Sequence, residues 1–187
     1  MDAIMLALVA VALANADGRT GLLLSDLLAA RKDRRRVVAI AFGAFIANAL
    51  IAAIAGAALN RMVGQGIVSL LIAFATLSAA AALLWRGRLG PPAEEMSDAA
   101  PAVLAVRMLA LQFGNRSHFL IGALAATSGA GLWAAAGGMI GWVIAMLPFL
   151  AFGAAMAERR AMRFIRWASA LILALWGIRT AMGAFGL

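Results

Sequence analysis

Two short polar stretches interrupt long apolar runs of the chain. Residues 15–20 read NADGRT and residues 112–118 read QFGNRSH, and both have apolar sequence on either side. An ionisable side chain at the centre of a bilayer costs about 2.5–3.5 kcal/mol on insertion scales, so each one marks a candidate functional position. Asp17 could bind a cation or a proton, whereas Arg19 and Arg116 could act as its counter-charges. His118 adds an imidazole to the carboxylate and the guanidinium groups, and it could carry a proton.

The neutral side chains of both stretches add hydrogen-bonding groups around these charges. The candidate site comprises Asn15, Asp17, Arg19, Thr20, Gln112, Asn115, Arg116, Ser117 and His118. For any one of these residues, the simpler interpretation is a hydrogen bond between packed helices, and we expect that role for Asn48 as well. Two polar clusters at related positions favour a site between the helices.

Composition indicates that the solvent of this protein is lipid. Of its 187 residues, 65% are hydrophobic and 13% are charged, whereas soluble domains have about 45–50% and about 25%. The absence of Cys and the single His exclude disulfides, thiolate metal sites and His-rich metal sites. The net charge of +8 comes from residues that cluster at the ends of apolar runs, so we expect a lipid bilayer and no nucleic acid as partner.

The elements that carry these residues are predicted to be six membrane-spanning helices, since about 20 apolar residues cross a bilayer. The spans are about 3–31, 37–59, 65–86, 101–128, 131–156 and 162–185. The fold class is therefore all-α. We divide the chain into a three-helix unit over 1–86, a polar cytoplasmic linker over 87–100 and a second three-helix unit over 101–187.

Basic loops predict the orientation of the chain in the membrane. RKDRRR, RGR and ERRAMRFIR lie in the loops after spans one, three and five, which all face one side. The positive-inside rule makes that side cytoplasmic, so both termini are predicted to be non-cytoplasmic. We expect a multi-pass protein of a bacterial inner (plasma) membrane.

The two polar stretches are related by an internal repeat. A shift of 97 residues aligns Arg19 with Arg116 and Thr20 with Ser117. Because each unit has three spans, an odd number, the two units enter the membrane from opposite sides. Such inverted-topology repeats are common in secondary transporters, whose sites lie near the midplane between the repeats.

The two stretches resemble the signature of a known family. This is the six-span cation/proton exchanger family that includes the Golgi manganese and calcium transporters of eukaryotes, which carries E-φ-G-D-[KR]-[ST] once in each inverted half. The resemblance covers nearly the whole chain, including GLLLSDLLAARKDRRRVVAIAFGAFIANAL after the first stretch. It implies exchange of Mn²⁺ or Ca²⁺ for protons, with the motif acids as cation and proton ligands.

The chain departs from that signature mainly at the acids. The glutamate positions hold Asn15 and Gln112, the second aspartate position holds Asn115, and the first Gly-Asp pair is reversed as Asp17-Gly18. Only the Arg-Thr and Arg-Ser pairs are retained, so the motif acids fall from four to one. A hard divalent cation prefers several carboxylate oxygens, and two nearby guanidinium groups oppose it.

Three hypotheses follow for function, none of them enzymatic, because no nucleophile–base pair, phosphate loop or metal-ligand cluster is evident. The first is a transporter resembling the Mn²⁺/Ca²⁺:proton exchangers, with Asp17 as the remaining metal ligand and no cofactor beyond the transported ion. The second is a non-transporting structural or accessory subunit of a larger membrane complex. The third is an anion carrier, suggested by the net positive charge of the polar stretches. A homo-oligomer fits the first hypothesis and a stoichiometric partner fits the second.

Overall fold

The computed structural model describes residues 2–85, 96–153, 155 and 160–186, and the described part is all-helical. Apolar segments form helices in lipid because a helix satisfies its own backbone hydrogen bonds. The helices are α1 Asp2–Ala14, α2 Arg19–Ala30, α3 Arg34–Met62, α4 Gln65–Leu84, α5 Pro101–Gln112, α6 Arg116–Ser128, α7 Gly131–Phe152 and α8 Arg160–Ala184.

Length and composition make this a multi-pass membrane protein. Four of the described helices (α3, α4, α7 and α8) are long and apolar enough to cross a membrane. The pair α1 and α2 passes the same test as one span, bent by 71° at its break, which makes up to five candidate spans. Helix α5 is apolar but shorter.

The predicted first and fourth spans, over 3–31 and 101–128, are each interrupted. In both cases the break falls on the polar stretch, and an arginine is the first residue of the following helix. Gly18 and Gly114 lie in the breaks with φ of 71° and 68°. This left-handed conformation is accessible to glycine but ends a right-handed helix.

Each broken helix packs against a long helix from the other side of the linker. Helices α1 and α2 contact α7, and helices α5 and α6 contact α3. Helix α4 packs along α8. This reciprocal arrangement brings the two breaks close enough for their side chains to interact.

Two glycines allow α1 and α7 to approach closely. An added Cβ at Gly137 or Gly141 would meet the backbone carbonyl oxygens of Ile4 and Leu8 well inside the 3.0 Å below which real Cβ atoms essentially never come. Both pairs are four residues apart, so the contact repeats after one helical turn. The G-x-x-x-G of α7 therefore serves as a helix-packing face.

Arg31 anchors the end of the linker to the loop between α2 and α3. Its guanidinium pairs with both carboxylate oxygens of Asp33 at 2.8 and 3.0 Å and donates to the backbone carbonyls of Met96, Ser97 and Ala99 at 2.8–3.1 Å. The Met96 side chain beside it is fully buried. The part of the predicted linker over 96–100 is thus fixed on the fold, whereas residues 87–95 lie outside the described residues.

The ion pair with Arg31 also affects the ionisation of the Asp33 carboxyl group. The hydrogen bond from Arg31 holds the pKa of Asp33 below its ordinary value. A carboxyl group with a lowered pKa stabilises the fold above its unfolded pKa, near 4, and this contribution is lost as the pH falls through the folded value.

We predict that Arg31→Lys lowers the free energy of unfolding by about 1–3 kcal/mol at neutral pH. Lysine keeps the charge, but its ammonium group cannot replace the planar guanidinium, whose several N–H donors reach a carboxylate and three carbonyls together. Denaturant titration of the purified protein in mixed micelles measures the loss.

Arg35→Lys is the matched control, because Arg35 is an exposed arginine in the first turn of α3, close in sequence to Arg31, and it should change stability little. The difference between native and Arg31→Lys proteins should shrink below pH 4 as Asp33 is protonated. Equal stability of all three proteins at neutral pH would contradict the anchoring role.

Candidate functional site

An ion pair joins the two helix breaks. Asp17 lies in the first break with its side chain 6% exposed, and its Oδ2 accepts from Nη2 of Arg116. Arg116 begins α6, directly after the second break, and its side chain is 13% exposed. Arg19 adds a second guanidinium, with Nε 3.3 Å from the same carboxylate oxygen. Asp17 is therefore held between the two arginines that the repeat relates to each other.

A hydrogen bond between neutral side chains joins the breaks a second time. Nδ2 of Asn15 donates to Oγ of Ser117 at 2.8 Å and to the Val11 carbonyl at 2.8 Å. Asn15 is 4% exposed and Ser117 is fully buried. Because a buried polar group without a partner is costly, this pair stabilises the contact between the two breaks.

A second polar group extends from α5 and α6 toward α3. Nε2 of Gln112 donates to the Ala41 carbonyl at 3.3 Å, while its Oε1 is buried with no partner among the described residues. His118 has Nδ1 2.8 Å from the Gln112 carbonyl and Nε2 3.3 Å from the Phe45 carbonyl. A neutral imidazole carries one N–H, so it can donate to only one of these two carbonyls.

The remaining candidate residues lie at the edge of the site. Arg19 is 34% exposed and also donates through Nη2 to the Trp85 carbonyl at 2.6 Å. Thr20 is half-buried in the first turn of α2. Asn115 is the N-cap residue of α6, without a side-chain capping bond. The structure thus gathers most of the predicted site around Asp17, Ser117 and His118.

Asn48 occupies the structural role that its position predicts. Its Nδ2 donates to the Leu109 carbonyl of α5 at 3.0 Å. That bond ties the middle of α3 to the last turn of α5, just before the second break. The same face of α3 contributes Phe45, which stacks on Trp142 with ring centroids 4.3 Å apart and also contacts the His118 ring.

Two arginines of the basic segment ERRAMRFIR, for which the sequence predicts only a role in topology, lie beside Asp17. A polar crevice of about 30 Å³ is lined by Arg163, Arg166 and Asp17 together with Ala16, Phe149 and Met162. Nε of Arg166 is buried and has no hydrogen-bond partner among the described residues. The repeat could not identify these residues, because they come from α8 and have no counterpart in the polar stretches.

The charge around Asp17 disfavours a divalent cation while the ion pairs are intact. The carboxylate is paired with the guanidinium groups of Arg19 and Arg116, and Arg163 and Arg166 line the crevice beside it. Across the described ranges, no group of three or more His, Cys, Asp and Glu side chains could hold a metal ion. Hard divalent cations take six to eight oxygen ligands, several of them carboxylates.

Comparison with protein-family models, curated proteins and solved structures gives no significant match to this chain.

Proposed function

We propose that the chain is a six-span protein of a bacterial inner membrane, built from two inverted three-helix repeats, with a transport-type site where its two broken helices meet. The observation that carries this proposal is the double connection between the breaks, through Asp17–Arg116 and Asn15–Ser117. Discontinuous helices that meet between inverted repeats form the substrate sites of many secondary transporters.

Two features support the inverted repeats. The breaks fall at related positions, and each is followed by a helix that begins with arginine, Arg19 in α2 and Arg116 in α6. The packing is reciprocal, since the broken helices of each unit contact the middle helix of the other. Both features hold equally when the first and second three-helix units are exchanged: each unit has a break followed by an arginine, and each broken helix contacts the middle helix of the other unit.

The proposed substrate follows from the resemblance to Mn²⁺/Ca²⁺:proton exchangers. Asp17 would bind the cation and the proton in turn, and the amide oxygens of Asn15 and Gln112 would add neutral ligands. The buried Oε1 of Gln112, which has no hydrogen-bond partner in the described part of the chain, is an oxygen of the required kind. Cation entry would require Arg19 and Arg116 to release the carboxylate, so the arginines would act as internal competitors for Asp17.

The test is uptake of Mn²⁺ and Ca²⁺ into proteoliposomes under an imposed pH gradient. We expect proton-coupled uptake by the native chain and its loss, by tenfold or more, in Asp17→Asn. The double variant Asp17→Asn/Arg116→Gln removes the acid together with a buried partner, so it tests the carboxylate without leaving that guanidinium uncompensated.

Asp26→Asn is the matched control for this experiment. Asp26 is an exposed carboxylate of α2, and its loss should leave uptake unchanged. No uptake by correctly inserted native protein, or full uptake by the double variant, would overturn the exchanger proposal.

The saturated contacts of Asp17 favour a second candidate, a non-transporting accessory subunit. A carboxylate that already accepts from two guanidinium groups can serve as a fixed connection between helices. Purification in mild detergent distinguishes the two candidates. A stoichiometric partner protein supports the accessory subunit, whereas an isolated homo-oligomer that takes up cations supports the transporter.

A further inference from the structure

The polar crevice beside Asp17 has an excess of positive charge. Arg163 and Arg166 of α8 line it together with Asp17. The carboxylate is already engaged, because Oδ2 pairs with Arg19 and Arg116 and Oδ1 accepts from the Arg19 backbone N–H at 3.4 Å. In the lining itself, two guanidinium groups therefore accompany one carboxylate that is already paired with Arg19 and Arg116.

The donor groups near this crevice are incompletely used. Nε of Arg166, which lines the crevice, and Nε of Arg116, which holds Asp17, are both buried without a hydrogen-bond partner among the described residues. A buried donor on a charged group that lacks an acceptor carries a large desolvation cost. An anion in the crevice would supply an acceptor and reduce the net charge at the same time.

The size of the crevice restricts the anion. About 30 Å³ accommodates one or two species of the size of a water molecule. That is enough for a monatomic halide and too little for an organic anion. Its polar lining consists of Arg163, Arg166 and Asp17, and Ala16, Phe149 and Met162 supply the apolar part.

We propose that this crevice binds one chloride ion, held by Arg166 and Arg163, as the counter-ion of the arginine cluster. The ion would lie on the α8 side of Asp17, opposite in charge to the cation that the exchanger proposal assigns to the carboxylate. Chloride binding at this position does not depend on cation transport.

The first measurement is equilibrium dialysis of the purified full chain in detergent against radioactive chloride. We expect saturable binding of about one ion per chain, with affinity reduced at least tenfold in Arg166→Gln, because a charge-assisted bond is lost. Thermal unfolding provides a second readout of chloride binding, since a ligand that binds only the folded state raises Tm. Chloride should therefore raise Tm by several degrees relative to gluconate at equal ionic strength.

Arg160→Gln is the matched control, since Arg160 is an exposed arginine of the same helix and does not line the crevice. It should bind chloride like the native chain. Arg163→Gln provides a second test at an exposed lining residue if Arg166→Gln does not fold. Absence of saturable binding to the native chain would overturn the proposal, as would equal stabilisation by chloride and gluconate. Because neither readout requires ion flux, their failure is distinct from failure of the uptake experiment.

Discussion

Asp17→Asn is expected to lower the free energy of unfolding by about 3–5 kcal/mol, the usual cost of removing one partner from a buried ion pair. The substitution keeps the size of the side chain but leaves Arg116, 13% exposed, without its carboxylate, and Arg19 loses the same partner. Unfolding in mixed micelles, followed by circular dichroism, measures the change.

The double variant Asp17→Asn/Arg116→Gln makes this prediction specific to the ion pair. It should be more stable than the single variant Asp17→Asn, because the buried guanidinium is removed together with the acid. The control Asp26→Asn should fall within about 0.5 kcal/mol of the native chain, as exposed substitutions usually do. If the single and double variants were equally unstable, Asp17 would not be the group that offsets the cost of burying the Arg116 charge.

Gly141→Ala should disrupt the packing of α1 against α7 and destabilise the protein by about 1–3 kcal/mol or more. The new Cβ would clash with the backbone carbonyl oxygen of Leu8. A backbone atom cannot rotate away as a side chain can, so the two helices must separate over this turn. The same unfolding measurement, together with gel filtration to detect aggregation, reports the effect.

Gly43→Ala is the matched glycine control within α3. An added Cβ at Gly43 meets nothing within 4 Å, and alanine is favoured over glycine in a helix by up to about 1 kcal/mol. We therefore expect native or slightly higher stability for Gly43→Ala. A Gly141→Ala variant as stable as Gly43→Ala would show that the close approach of α1 and α7 is not required.

Asp17 links these stability predictions to the functional proposals. Its carboxylate holds the two breaks together, it is the proposed cation and proton ligand, and it borders the proposed chloride site. A protein that exchanges cations must break the Asp17–Arg116 pair during its cycle, whereas an accessory subunit keeps the pair. The unfolding measurements and the uptake measurement therefore both test whether the Asp17–Arg116 pair is a permanent connection or one that opens during transport.

Local sequence determined the helical membrane character of the chain and the positions of the polar stretches. The bounds predicted from apolar runs, such as 65–86 and 131–156, agree within a few residues with α4 Gln65–Leu84 and with the described end of α7 at Phe152. This works because lipid requires each spanning segment to satisfy its own backbone, so composition and length suffice. The predicted repeat likewise pairs Arg19 with Arg116 from sequence alone.

Tertiary structure decided what the polar residues contact. From the sequence, Gly18 and Gly114 could serve either a close helix contact or a local opening of the helix, and only the structure shows that both adopt positive φ and end two helices. Nor could it place Arg163 and Arg166 beside Asp17, because that proximity depends on how α8 packs across about 150 residues of chain separation. The hydrophobic pattern determines which segments enter the membrane. Which charged side chains meet inside it depends on tertiary packing between helices, and the local sequence of one helix does not specify the helices that it packs against.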